Sequence, residues 1–64
     1  MPSSLHAHLS VIVEHLGRYR TEIADLAGDR TGDPDAPVVA ALYEAERALR
    51  AAVRSVEYAR SMAR

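Results

Sequence analysis

The apolar residues in the first half of the chain recur at alternating intervals of four and three positions. Seven residues follow this pattern without a gap: Leu5, Leu9, Ile12, Leu16, Tyr19, Ile23 and Leu26. The spacing is a heptad repeat, typical of an α-helix that packs one stripe against a neighbouring helix. Leu9, Leu16 and Ile23 take heptad position a, and the other four residues take position d. The pattern predicts a first helix over about residues 4–27.

The second half of the chain has the same repeat with smaller residues. The apolar positions there are Val38, Leu42, Ala45, Leu49, Ala52, Val56, Ala59 and Ala63. Leu42, Leu49 and Val56 take position a, whereas position d is mostly alanine, which lets a neighbouring helix approach closely. This pattern predicts a second helix over about residues 37–62.

The segment between the two repeats has the composition of a turn. Residues 28–37 include two glycines, two prolines and three aspartates, and these residues favour turns and helix ends. We expect a loop over residues 28–36, with Gly28 ending the first helix in the left-handed conformation. Asp33 or Asp35 is expected to cap the second helix.

Antiparallel packing aligns the two repeats from the loop to the termini. Facing a or d residues have numbers that sum to 64 or 65 throughout. Large d residues of the first helix then face alanines of the second, which is how a core fills at native density. The same register places Arg20 opposite Glu46. The sequence therefore predicts an all-α fold, an antiparallel two-helix hairpin that is coiled-coil-like with Ala-rich d positions.

Apolar residues beyond the repeat predict that the hairpin self-associates. They line both flanks of the packed stripe: Val13, Val39 and Val53 on one, and Val11, Ala41, Ala48 and Met62 on the other. A chain of 64 residues without cysteine has a small core and no disulfide to strengthen it. We expect a second hairpin to cover one flank and form a four-helix bundle, most simply as a homodimer. The pattern does not choose between the two flanks.

Charge and hydropathy narrow the classes of function. The formal net charge is −1, which argues against a protein that strongly seeks nucleic acid or membranes. The first residues show no signal peptide, and the longest apolar run, Val38–Leu42, is far shorter than the ~20 residues that cross a bilayer. A soluble cytoplasmic protein is expected.

One polar stripe on the second helix suggests an alternative function. Its members are Tyr43, Arg47, Arg50, Arg54 and Tyr58. Arginine contacts phosphates and tyrosine stacks on bases, so a dimer could bind nucleic acid or act as a regulator through two such stripes. Neighbouring glutamates, among them Glu44 and Glu57, also allow the simpler interpretation of a solvated face. An acidic protein is a third ligand that the stripe would fit.

The histidines suggest a second alternative, an assembly linked by a metal. His8 and His15 share heptad position g, but they stand two turns apart and cannot hold one metal within a single chain. In a dimer they could converge with their counterparts. The aspartates of the loop lack the spacing of an EF-hand, and no nucleophile lies in a recognisable catalytic context.

These observations favour a small non-enzymatic helical interaction module. We expect it to self-associate and to present helix faces to a protein partner. No catalytic, cofactor-binding or metal-binding residue is predicted, and no cofactor is expected.

Overall fold

Two α-helices account for nearly all of the described chain. The computed structural model describes residues 4–30 and 36–63. Helix α1 spans Ser4–Asp29 and helix α2 spans Ala36–Met62, and the described residues contain no β-strand. The two helices pack against each other, which confirms the prediction of an all-α chain built from two packed helices.

The helices run antiparallel. Arg20 of α1 and Glu46 of α2 form an ion pair of 3.3 Å between Nη1 and Oε2, and each lies roughly ten residues from the end of its helix nearest the connection. This contact was predicted from the register of the two repeats. The Cα atoms span 53 × 14 × 10 Å, so the hairpin is a single layer of helices with two broad sides.

The first helix ends differently from the prediction. Gly28 lies inside α1 and outside the left-handed region, so the expectation that it ends the helix in that conformation was wrong. The chain leaves α1 through a tight turn in which the Arg30 N–H donates to the Ala27 carbonyl at 3.2 Å. A turn of this kind uses helical geometry and needs no left-handed residue. The predicted caps Asp33 and Asp35 lie outside the described residues.

Helix α2 packs on α1 with the predicted stripe. The a residues of the second repeat are all half-buried: Leu42, Leu49 and Val56 in α2, and Ala63 directly after it. The alanines at its d positions are half-buried too, whereas Val38, beside the connection, is exposed. Pro37 is the second residue of α2, where its missing N–H removes no helical hydrogen bond.

Helix α1 is rotated relative to the predicted packing. Three of its four d residues, Leu5, Tyr19 and Leu26, are 57%, 49% and 48% exposed, whereas Ala27 at position e is fully buried. Their predicted placement inside the helix–helix contact was therefore wrong. The physical reason is size, because the small side chains of Ala24, which is half-buried, and Ala27 let α2 approach that side of α1 closely near the connection.

Candidate interaction surfaces

The ion pair identifies the two broad sides of the hairpin. Arg20 and Glu46 both take position e of their repeats, so the e positions of α1 and α2 line one side. The g positions, together with the exposed d positions beside them, line the opposite side.

We name the two sides by their residues. The bridged face comprises Val13, Arg20, Val39, Glu46, Arg50 and Val53. The apolar face comprises Leu5, Val11, Tyr19, Leu26, Val38, Ala41, Ala48 and Met62. Each face includes one of the two flanks that the sequence offered as an interface.

Charged side chains span the bridged face. A single carboxylate oxygen, Oε2 of Glu46, accepts from Arg50 Nη2 at 2.8 Å and from Arg20 Nη1 at 3.3 Å. The Glu46 side chain is only 12% exposed. The hydrogen bond from Arg50 is the main cause that lowers the pKa of this carboxyl, and Arg20 adds to it, whereas desolvation opposes the shift.

Three valines accompany this ion-pair network. Val13, Val39 and Val53 are each half-buried. They extend the contact between α1 and α2 along the same side as the arginines. Half-buried valines beside a closed ion pair present little free apolar surface to another molecule.

The apolar face is where most of the uncovered apolar side chains lie. Eight large apolar residues of the described chain are exposed, and six of them belong to this face. Ala41 and Ala48 lie exposed along its α2 edge. Exposed apolar side chains gathered on one side of a small protein make that side a candidate interaction site.

Few polar groups interrupt the apolar face. His8, His15 and Glu22 take position g of α1 and are exposed. The Arg18 guanidinium lies over the Tyr19 ring, with Cζ 5.5 Å from the ring centroid, which is a cation–π contact. The polar groups of α1 therefore lie between Val11 and the exposed d residues, and Ser55 adds one exposed polar group on α2.

The Arg/Tyr stripe predicted for the second helix lies on the outer side of α2. Its members, Tyr43, Arg47, Arg50, Arg54 and Tyr58, are all exposed. Arg50 is held by Glu46, and Arg47 lies 3.8 Å from Glu44, its neighbour on the same helix. Arg54 forms no ion pair with any described residue. Paired arginines reduce the positive field of this surface, and Arg54 is the member whose charge is least compensated.

The described residues bring no metal site together. They contain no cluster of three or more histidine, cysteine, aspartate or glutamate side chains that could hold an ion. Over the same residues, neither helix has a stretch of the length and hydropathy needed to cross a bilayer.

Reasoning from the sequence missed the contribution of α1 to the apolar face. Leu5, Tyr19 and Leu26 were assigned to the contact with α2 and instead join Val11 at the surface. The signal that could have revealed this is the pair of small residues Ala24 and Ala27 on the other side of the stripe, where a helix can approach most closely.

Comparisons with known proteins give no relative from which the role of these surfaces could be inferred. The chain matches no protein-family model, and searches of curated proteins and of solved structures give no match either. The two faces and the outer side of α2 are therefore interpreted from their own geometry and chemistry.

Proposed function

We propose that the chain is a small non-enzymatic interaction module that forms a homodimeric four-helix bundle and presents its outer helix sides to a protein partner. The observation that carries this proposal is the concentration of six exposed large apolar side chains on one face of the hairpin. Covering that face with an equivalent hairpin removes these side chains from water, and the free energy gained scales with the apolar area buried.

The surface area of the chain supports this dimer. The chain exposes 4791 Å², whereas a folded monomer of 7.0 kDa is expected to expose about 4000 Å². The excess is about 800 Å², which equals the area that each partner buries in an interface of standard size. Pairing two hairpins through one face would bring the exposed area per chain down to the usual value.

The small core of the hairpin also supports self-association. Ala27 is the one fully buried residue in the described part of the chain, and the stripe residues around it are half-buried. Most helical stability in proteins comes from tertiary packing, and a core this small rarely supplies more than about 3–5 kcal/mol. A second hairpin would supply the missing layer, so folding and association are expected to be coupled.

A dimer formed through the apolar face leaves the outer side of α2 free for another ligand. Tyr43 and Tyr58 are 45% and 60% exposed, and Arg54 lies between them on the same side of the helix. Tyrosine and arginine are the residue types that most often anchor protein interfaces. The dimer would display this surface twice, which suits it to a partner with two equivalent sites or to bivalent binding.

The test of self-association is solution mass measured together with helicity. Light scattering across protein concentration is expected to give twice the 7.0 kDa of one chain at micromolar concentration. Dilution is expected to lower the mass and the far-ultraviolet circular dichroism together, because an isolated hairpin is marginal. A fully helical monomer over the whole range would contradict the proposal.

The outer side of α2 is tested separately from assembly. A variant with Tyr43, Arg47 and Arg54 replaced by alanine is expected to keep the mass of the dimer, because these residues take positions b and f of α2, which lie away from the apolar face. A labelled oligonucleotide is the ligand that tests the alternative function, which is binding of nucleic acid. Binding that is lost in this variant and weakens steeply with salt would assign the surface to nucleic acid instead of a protein.

A further inference from the structure

We infer that the apolar face is self-complementary, so that two copies stack antiparallel with α1 on α1 and α2 on α2 about a two-fold axis beside His15. This arrangement rests on the self-association through the apolar face proposed above and adds how the two copies are oriented. An isologous interface requires that residue i contacts residue j of the other copy and that j contacts i. The exposed residues of the apolar face satisfy that requirement on both helices.

The exposed apolar residues of α1 are centred on one height. Leu5 and Leu26, both at position d, have their midpoint between positions 15 and 16, and Val11 and Tyr19 have theirs at position 15. In an antiparallel stack of α1 on α1 about this midpoint, Leu5 faces Leu26 of the other copy, and that contact occurs twice. Val11 and Tyr19 of the other copy lie at the same height but about 80° apart around the helix, so they border the contact on two sides.

The polar residues of the same edge follow the same symmetry. His8 and Glu22, both exposed, are also centred on position 15. In the antiparallel stack the imidazole of His8 lies level with the carboxylate of Glu22 of the other copy and can donate a hydrogen bond to it. His15 then lies level with its own counterpart, next to the axis.

Helix α2 places the axis at the same height. Its two exposed large apolar residues on this face, Val38 and Met62, are centred on position 50. In the register given by the Arg20–Glu46 contact, position 50 of α2 lies level with position 16 of α1. The two helices thus give centres within about one residue, or ~1.5 Å, of each other. A single two-fold axis therefore relates the pairs on both helices.

The residues between Val38 and Met62 suit a close contact of α2 with α2. Ala41, Ala48 and Ser55 lie exposed along this edge, and small side chains let two helix backbones approach closely. The other way of stacking two hairpins, α1 on α2, would bring Glu22 level with Glu44 of the second copy. Two carboxylates facing each other disfavour that arrangement.

Disulfide trapping tests this geometry directly, because the chain contains no cysteine. His15→Cys places a thiol next to the inferred axis, where two copies bring their Cα atoms within about 7 Å, the limit for a disulfide. Mild oxidation is expected to convert most of this variant to a covalent dimer. Glu14→Cys is the matched control, because it is also exposed but points about 100° away around the helix.

Two further variants distinguish failure of the geometry from failure of the dimer. If α1 stacks on α2, a mixture of His15→Cys and Ala48→Cys gives a mixed disulfide, and His15→Cys alone gives little. Self-linking of Val53→Cys would place the bridged face in the interface. Either result overturns this inference while the dimer mass of the unmodified chain upholds the proposed function. A helical monomer by light scattering would overturn both.

Discussion

The two broad sides of the hairpin differ in how much apolar surface they leave exposed to water. On the bridged face, Arg20 and Arg50 close over Glu46, and the neighbouring valines are half-buried within one chain. On the apolar face, large side chains such as Tyr19 and Met62 stay exposed. Within one chain the bridged face covers most of its own apolar side chains, whereas the apolar face leaves them exposed. This difference is the reason why we propose the apolar face, and not the bridged face, as the surface of assembly.

The largest effect is expected from a charge placed on the apolar face. Tyr19→Glu should weaken the dimer by roughly 100-fold or more, because two-fold symmetry would bury two uncompensated carboxylates in an apolar contact. Light scattering against concentration measures this as a shift of the midpoint between dimer and monomer.

Tyr43→Glu is the matched control for that variant. Tyr43 is 45% exposed and Tyr19 is 49% exposed, and the change of side chain is identical. Since Tyr43 lies on the outer side of α2, its replacement should leave the dimer nearly unchanged. Equal weakening by the two variants would show that the apolar face has no special role.

The next largest effect is expected in the contact between α1 and α2, which lies between the two faces. Leu49 is half-buried at the middle of the stripe, and Leu49→Ala should cost about 2 kcal/mol, at the low end for truncating a buried leucine. A core of this size rarely supplies more than about 3–5 kcal/mol. Urea unfolding followed by circular dichroism at fixed protein concentration should therefore show a large fall in midpoint, whereas no change would mean that α1 and α2 do not depend on each other.

The register and the rotation of the helices differ in how far the sequence predicts them. The spacing of apolar residues predicts two packed helices and the Arg20–Glu46 contact, because the turn limits how far the repeats can slide. The sequence constrains rotation about the helix axis less. Positions d and e both adjoin position a, so either can turn toward the partner helix. The small side chains of Ala24 and Ala27 set this rotation, because α2 can pack closest to α1 on their side, and the spacing of apolar residues alone does not show this.

The same rotation explains why the candidate site was predicted only in part. Val11 and Met62 were identified as a flank from their spacing alone, and they are exposed as such a flank requires. Tyr19 and Leu26 were not predicted to be exposed, because the heptad repeat assumes that α2 covers the d residues of α1. The rotation of α1 exposes its d residues on the apolar face and leaves the valines of the bridged face half-buried.

A smaller gain in stability is expected beside the bridged face. Gly17 is half-buried, yet a Cβ built there would meet nothing within 4 Å, so alanine fits without moving a neighbour. Gly17→Ala should stabilise the protein by about 1 kcal/mol through the helix propensity of alanine. Thermal unfolding at fixed concentration measures it. Gly28→Ala, which also meets open space but lies in the last turn of α1, should gain less.

The smallest effect concerns the ion pairs of the bridged face, and its sign follows from the lowered pKa of Glu46. A carboxyl with a lower pKa in the folded state contributes stability above the unfolded pKa of about 4.3. That contribution is lost as the pH falls through the folded pKa. The melting temperature of the unmodified protein should therefore exceed that of Glu46→Gln at pH 7, and the difference should vanish in acid. Glu44→Gln, whose side chain is 80% exposed, should show almost no difference at either pH. A difference for Glu46→Gln that stays constant into acid would mean that shape, and not charge, closes the bridged face.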